Sequence, residues 1–250
     1  MLIDSHCHVI NEEYEDPFKV INESIKNGVS KMIINGFDKK SSINALFISK
    51  KYNNVYCAVG IGPENIDDYE DKTFFEIKNM ALDKKVKAIG EIGLDYYWTK
   101  DNKQKQIKVF KDMLKIAEQL NKPVIIHSRN AISDTINILK EYNVSGIMHC
   151  YSGSLESAKI LINMGFLIGI SGVVTFKNSK EIKNVVKNID LSSISLETDS
   201  PYLSPEPYRG MKNKPDNIIY IAKKIAEIKG LNVDDVIYQT GKNVDTKFDL

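Results

Sequence analysis

The stretch "MLIDSHCHVI", residues 1–10, starts as an apolar, β-branched run and ends with two histidines at alternate positions, in a chain of 250 residues that has only four histidines. A short apolar run of this kind, bounded by polar or turn residues, reads as a buried strand. Seven further runs follow it: "SKMIING" (30–36), "VYCAVG" (55–60), "VKAIGEIG" (86–93), "PVIIHS" (123–128), "SGIMHC" (145–150), "FLIGIS" (166–171) and "ISLETDS" (194–200). Each is separated from the next by a longer segment with helical spacing, the pattern of successive βα units. Between the fourth and fifth runs, Ile107, Phe110, Leu114, Ala117 and Leu120 recur at intervals of three and four, and Asn121 and Pro123 then end the helix. Gly28 in "NGVS" and Gly165 in "NMGF" stand where a helix stops and a strand begins.

Eight strand-helix units in this length match a (β/α)8 barrel. Periodicity is a local property and does not show closure, so a doubly wound open sheet satisfies the same pattern. No Pro-rich linker, low-complexity segment or short repeat divides the chain, and residues 1–250 are expected to form one domain.

Composition narrows the classes further. A 42% hydrophobic share supports a sizeable core. No run reaches the roughly 20 apolar residues of a membrane span, and the first 30 residues lack the pattern of a signal peptide, so a cytoplasmic location is expected and no membrane association. Cys7, Cys57 and Cys150 are odd in number and widely spaced, which fits buried thiols rather than a disulfide framework. A net charge of +1 gives no general attraction to nucleic acid, so phosphate binding would need a local cluster. Of 34 basic residues only Arg129 and Arg209 are arginine, the side chain with a planar fork for phosphate.

The chemistry lies at the ends of the runs. Residues two apart in a strand point to one side, so Asp4, His6 and His8 are expected on one face, with the histidines at the C-terminal end where a barrel places its active site. His127 ends the fifth run and His149 the sixth, Glu91 stands late in the fourth, and Asp199 closes the eighth. A lone histidine at a strand end is more often a satisfied core residue than a ligand, but all four histidines of the chain fall at such ends. With Glu91 and Asp199 they offer imidazole nitrogens and carboxylate oxygens in a mixture suited to zinc, manganese or iron. Six ligands exceed what one catalytic ion with an open position requires, so two divalent ions are expected, with zinc, manganese and magnesium as the candidates.

The segments "DSHCH" (4–8), "GEIGLDYY" (90–97), "KPVIIHSR" (122–129), "MHCYSG" (148–153) and "ETDSPYLSPEPYRGMKNKP" (197–215) resemble, in order and over nearly the whole chain, the TatD-like metal-dependent nucleases of the metal-dependent hydrolase superfamily. The resemblance implies a TIM barrel and hydrolysis of DNA phosphodiester bonds, as an exonuclease on single-stranded or frayed ends. It also implies that His6, His8 and Asp199 hold one metal, His127 and His149 a second, and that Glu91 bridges them. The residues alone do not choose DNA, because the same pair of ions hydrolyses amides, lactones or small phosphate esters. The superfamily's amide and lactone hydrolases often bridge their metals with a carboxylated lysine; "GEIG" at 90–93 has Glu91 and no lysine, which favours the nuclease branch.

Around the ligands, Asp199 is the candidate proton acceptor, with a purely ligating role as its alternative, and Glu91 is the other catalytic candidate. Arg129 and Arg209 are candidate phosphate clamps, Tyr96 and Tyr97, with Trp98, a candidate stacking platform, and Asp95 a candidate partner for a ligand histidine. Lys177, Lys212 and Lys214 add local charge or simply a solvated face. The chain departs from the family at 60–65: where Gly-x-His-Pro-His is common, it reads "GIGPEN", with Gly62 and Glu64 in place of both histidines. That places substrate choice or rate in question and motivates two alternatives, a small-substrate hydrolase and a metal-retaining binding protein without turnover. No obligate protein partner is evident.

Overall fold

The computed structural model describes residues 1–67, 69–98 and 101–250. The eight apolar runs form eight strands, β1 (Leu2–Cys7), β2 (Val29–Asn35), β3 (Val55–Val59), β4 (Val86–Asp95), β5 (Val124–Arg129), β6 (Gly146–Met148), β7 (Leu167–Ile170) and β8 (Ile194–Leu196). They lie parallel in one sheet in sequential order from β1 to β8. A doubly wound open sheet reverses its strand order partway across. The unbroken order therefore identifies a (β/α)8 barrel.

Helices α1 (Pro17–Lys26), α2 (Lys39–Ser49), α3 (Asp71–Met80), α4 (Lys103–Leu120), α5 (Ile132–Leu139), α6 (Leu155–Asn163), α7 (Lys180–Asn188) and α8 (Ile218–Lys229) alternate with the strands, and α9 (Val233–Phe248) follows. Their ends obey local chemistry. The Asp16 side chain accepts the Lys19 N–H ahead of Pro17, and Asp38 and Ser41 form a reciprocal capping box at α2. Among the described residues no helix is long and apolar enough to cross a membrane.

Among the described residues no ladder pairs β8 with β1. The seam closes instead near the C-terminal ends: His8 N–H donates to Ser200 O at 2.7 Å, and Asp199 N–H donates to His6 O at 2.9 Å. The Ser5 hydroxyl donates to Leu196 O at 2.9 Å, and buried Asp4 accepts from Thr198 N at 3.0 Å and from the Thr198 hydroxyl. The segments that carry three candidate ligands are thus the segments that close the barrel.

Two apolar clusters divide the core. The larger lies between strands and helices and includes Met32, Ile34, Val59, Ile89, Ile92 and Ile126. The smaller fills the barrel floor, with Ile3, Ile33, Ala58, Ala88, Ile125, Ile147 and Leu167 from seven consecutive strands, plugged by Val244 and Phe248 of α9.

Candidate metal centre

Strand register decides which side chains reach the mouth of the barrel. On β5, Ile125 belongs to the floor and His127 to the mouth, two residues apart as simple alternation requires. β1 and β4 do otherwise. Asp4 pairs with Met32 and Cys7 with Ile34, so Ser5 and His6 together face the single residue Ile33. On β4, Ile89 pairs with Val124 and Ile92 with Ile126, so Gly90 and Glu91 together face Ile125. Each irregularity is a β-bulge that reverses the inside-outside parity. Consequently Ile3 and His6, and likewise Ala88 and Glu91, point into the barrel although each pair is three residues apart.

Four imidazoles and two carboxylates converge there. His6 Nε2 lies 3.0 Å from His8 Nε2, and each is 3.4 Å from Glu91 Oε2. Asp199 Oδ1 stands 3.4 Å from His6 Nε2 and 3.5 Å from His8 Nε2. On the other side of the same carboxylate, Glu91 Oε1 is 2.9 Å from His127 Nδ1 and 3.1 Å from His149 Nε2, and those two nitrogens are 3.2 Å apart. Glu91 therefore turns one oxygen to each cluster.

The arrangement fits divalent metal. Nitrogen and oxygen ligands at about 2.0–2.2 Å around a tetrahedral zinc stand about 3.3–3.6 Å from one another. The separations within the two clusters, 3.0–3.5 Å on the His6 side and 2.9–3.2 Å on the His127 side, lie close to that spacing. His6, His8 and Glu91, and separately Glu91, His127 and His149, form groups able to hold an ion, as do His6, His149 and Asp199.

Charge within this buried cluster is maintained by mutual pairing. In the metal-free chain burial opposes a proton on His8, yet contacts with Asp199 and Glu91 raise its pKa to about 10. His127 is raised to about 9, against burial, by Asp95 and Glu91. Burial pushes Glu91 upward, but His149, His127 and His6 hold it well below the usual carboxylate range. Asp199 is lowered against burial by His6 and His8.

A second layer orients the rings. His8 Nδ1 sits 2.9 Å from Asn35 O, and His127 Nε2 sits 2.9 Å from Asp95 Oδ2. Asp95 also accepts the Tyr97 N–H at 2.8 Å. Gly93 lets β4 pass this point: its φ is +144°, and a Cβ there would stand 1.9 Å from His127 O.

The centre opens into a cavity of about 630 Å³ whose wall includes His8, Glu91, His127, His149, Asp199, Arg129 and Trp98. The Arg129 guanidinium lies 3.8 Å from the centroid of the Tyr97 ring and 5.3 Å from that of Trp98, which is 64% exposed. Gly62 and Glu64, from the divergent "GIGPEN" segment, line the same cavity. Burial raises the Glu64 carboxyl while His127 opposes the shift.

Other expected contacts stand outside this cavity. Tyr96 is buried, donates its hydroxyl to Asp134 at 3.0 Å and carries Lys103 4.5 Å from its ring, because its side chain turns from the mouth toward the flanking helices. Arg209 lies 3.7 Å from the centroid of the Phe176 ring, in the segment between β7 and α7, and donates to Ser204 O of its own loop at 3.4 Å. Lys212 contacts Glu13 O and Lys214 pairs with Glu23, both beside α1, while Lys177 is exposed. Sequence reasoning passed over Asn35, whose carbonyl orients His8, over Phe37 and Tyr202, which line the cavity with ring centroids 5.4 and 6.2 Å from that of His8, and over Glu197, 3.7 Å from His149. For Glu197 a signal existed, since it precedes Asp199 by two residues on the same run.

Residues 3–249 match the family model described as TatD related DNase. The chain is 38% identical to the metal-dependent hydrolase YabD of Bacillus subtilis over 99% of both chains. It is 40% identical to a metal-dependent hydrolase of Buchnera aphidicola, over 100% of this chain and 96% of that one. The crystal structure of the TatD homologue YjjV from Escherichia coli superposes with a TM-score of 0.91 at 26% identity, covering 100% of this chain and 98% of that one.

Proposed function

Because the chain belongs to the TatD-related DNase family and is a metal-dependent hydrolase of that type, we propose that it cleaves phosphodiester bonds in DNA, acting at single-stranded or frayed ends. The observation that carries this reading is the Glu91 carboxylate, with Oε2 3.4 Å from both His6 and His8 and Oε1 2.9 and 3.1 Å from His127 and His149. In it, His6, His8 and Asp199 would hold one ion, His127 and His149 would hold a second, and Glu91 would contribute to both, with zinc, manganese or magnesium as the metal.

When bound, such a pair of cations supplies an activated water and neutralises charge on a phosphoryl group. The protein's own groups do the rest. Asp199, at the cavity wall beside His6 and His8, accepts the proton of the attacking water. Arg129 receives a phosphate oxygen from the same wall, and it packs Tyr97 and Trp98 into a platform whose exposed Trp98 face stacks a terminal base.

A second reading rests on Glu64. A carboxylate lining the mouth repels a phosphate unless a cation or a donor intervenes, which favours a less charged small substrate such as an amide, a lactone or a small ester. End-labelled single-stranded DNA, incubated with the protein and manganese, magnesium or zinc, separates the two. Progressive shortening that disappears with chelator and in Glu91→Ala supports the nuclease. Metal-loaded protein that leaves DNA intact but turns over small esters or amides favours the second reading.

A further inference from the structure

Glu197 is fully buried beyond the end of β8, in the strand-end segment that carries Asp199. Its Oε1 accepts the backbone N–H of Cys150, and its Oε2 has no hydrogen-bond partner. His149 Nδ1, likewise without a partner, lies 3.7 Å from that Oε1. Among the described residues His149 is the one basic side chain within ion-pair distance of Glu197. A buried carboxylate is costly unless it is paired. The surroundings keep room for it: a Cβ on Gly169 would stand 2.5 Å from Glu197 Oε2 and 3.0 Å from His149 Cα.

Two other histidines of the centre show what the outer nitrogen needs. His8 presents Nδ1 to the Asn35 carbonyl and His127 presents Nε2 to Asp95, each at 2.9 Å. Such partners fix the tautomer and direct the opposite nitrogen at the metal. We propose that Glu197 is the positioning residue for His149: its carboxylate, 3.7 Å from Nδ1 and so at ion-pair rather than hydrogen-bond distance, favours the tautomer that keeps the proton on Nδ1 and leaves Nε2 unprotonated and aimed at the side of the centre shared with His127 and Glu91. This assignment rests on the two-metal reading. It adds to that reading a requirement outside the ligand set, namely an anion behind the imidazole and a glycine that makes space for it.

The test measures zinc stoichiometry by elemental analysis and zinc affinity by competition with a chromophoric chelator, in the full-length parent, Glu197→Gln and Gly169→Ala. Glu197→Gln keeps the volume and an acceptor for Cys150 N–H but removes the charge, whereas Gly169→Ala crowds the carboxylate from behind. The expected result is two zinc ions in the parent and, in whichever variant folds, one site weakened about 10- to 100-fold with the other unchanged. A purely structural role would lower the urea midpoint and leave both affinities alone. A parent with two ions and folded variants with parental affinities overturns the assignment while the two-metal reading stands. A parent that takes up no zinc, manganese or magnesium removes both.

Discussion

The two ends of the barrel are built from the same strands and have opposite chemistry. At the floor, Ile3, Ala88, Ile125 and Ile147 meet beneath Val244 and Phe248. A few residues further along β1, β4, β5 and β6, His6, Glu91, His127 and His149 meet at the mouth. Burial favours the first group directly, since each large apolar side chain removed from water contributes about 1.5–3 kcal/mol. The second group is buried against that gradient and persists through mutual pairing. The contrast teaches that the floor supplies stability which the mouth can draw upon, and that chemistry and stability are separable along one strand.

That separation can be broken in three ways. The largest effect is expected from Asp199→Asn, which should lower turnover by about 10²- to 10⁴-fold while the barrel stays folded. Steady-state kinetics beside a circular-dichroism melt would show it, and parental turnover would remove the proton-acceptor role. Next comes Phe248→Ala at the floor, expected to cost about 3–5 kcal/mol of stability and to leave kcat at low temperature unchanged. Urea denaturation gives the first quantity, and loss of metal from the still-folded variant would show that the two ends are coupled. The smallest effect is a proton count. His8 and His127 hold protons up to about 10 and about 9 in the metal-free chain, and His149 is raised as well. Ligation needs deprotonated imidazoles, so zinc binding at pH 7 should release on the order of one to three protons and tighten as pH rises. Titration calorimetry in two buffers of different ionisation enthalpy measures the release; a value of zero would show that the imidazoles are already neutral.

Much of this molecule is legible in its sequence because the relevant signals are local. "PVIIHS" and "SGIMHC" place an apolar core and a terminal histidine in one short run, and His127 on β5 and His149 directly after β6 reach the mouth two residues beyond Ile125 and Ile147 of the floor, as strand periodicity implies. The same rule fails at β1 and β4. Counting by twos from Ile3 or Ala88 does not reach His6 or Glu91, because a bulge adds a residue that only the pairing with β2 or β5 reveals. Tyr96 and Tyr97 are adjacent in sequence, yet one is buried on Asp134 and the other stands under Arg129.

The eight strand-helix units, the strand-end placement of four histidines and two carboxylates, and a family resemblance that the match over residues 3–249 bears out are thus already legible in the residues. Those are properties of residue type and of spacing within a few positions. The sequential strand order, the closure of β1 on β8 through Asp199 and His8, the turning of one Glu91 oxygen to each cluster and the burial of Glu197 behind His149 come from the folded chain. Each of these depends on hydrogen bonds or contacts between residues far apart in the chain, and a local pattern carries no information about register between distant strands.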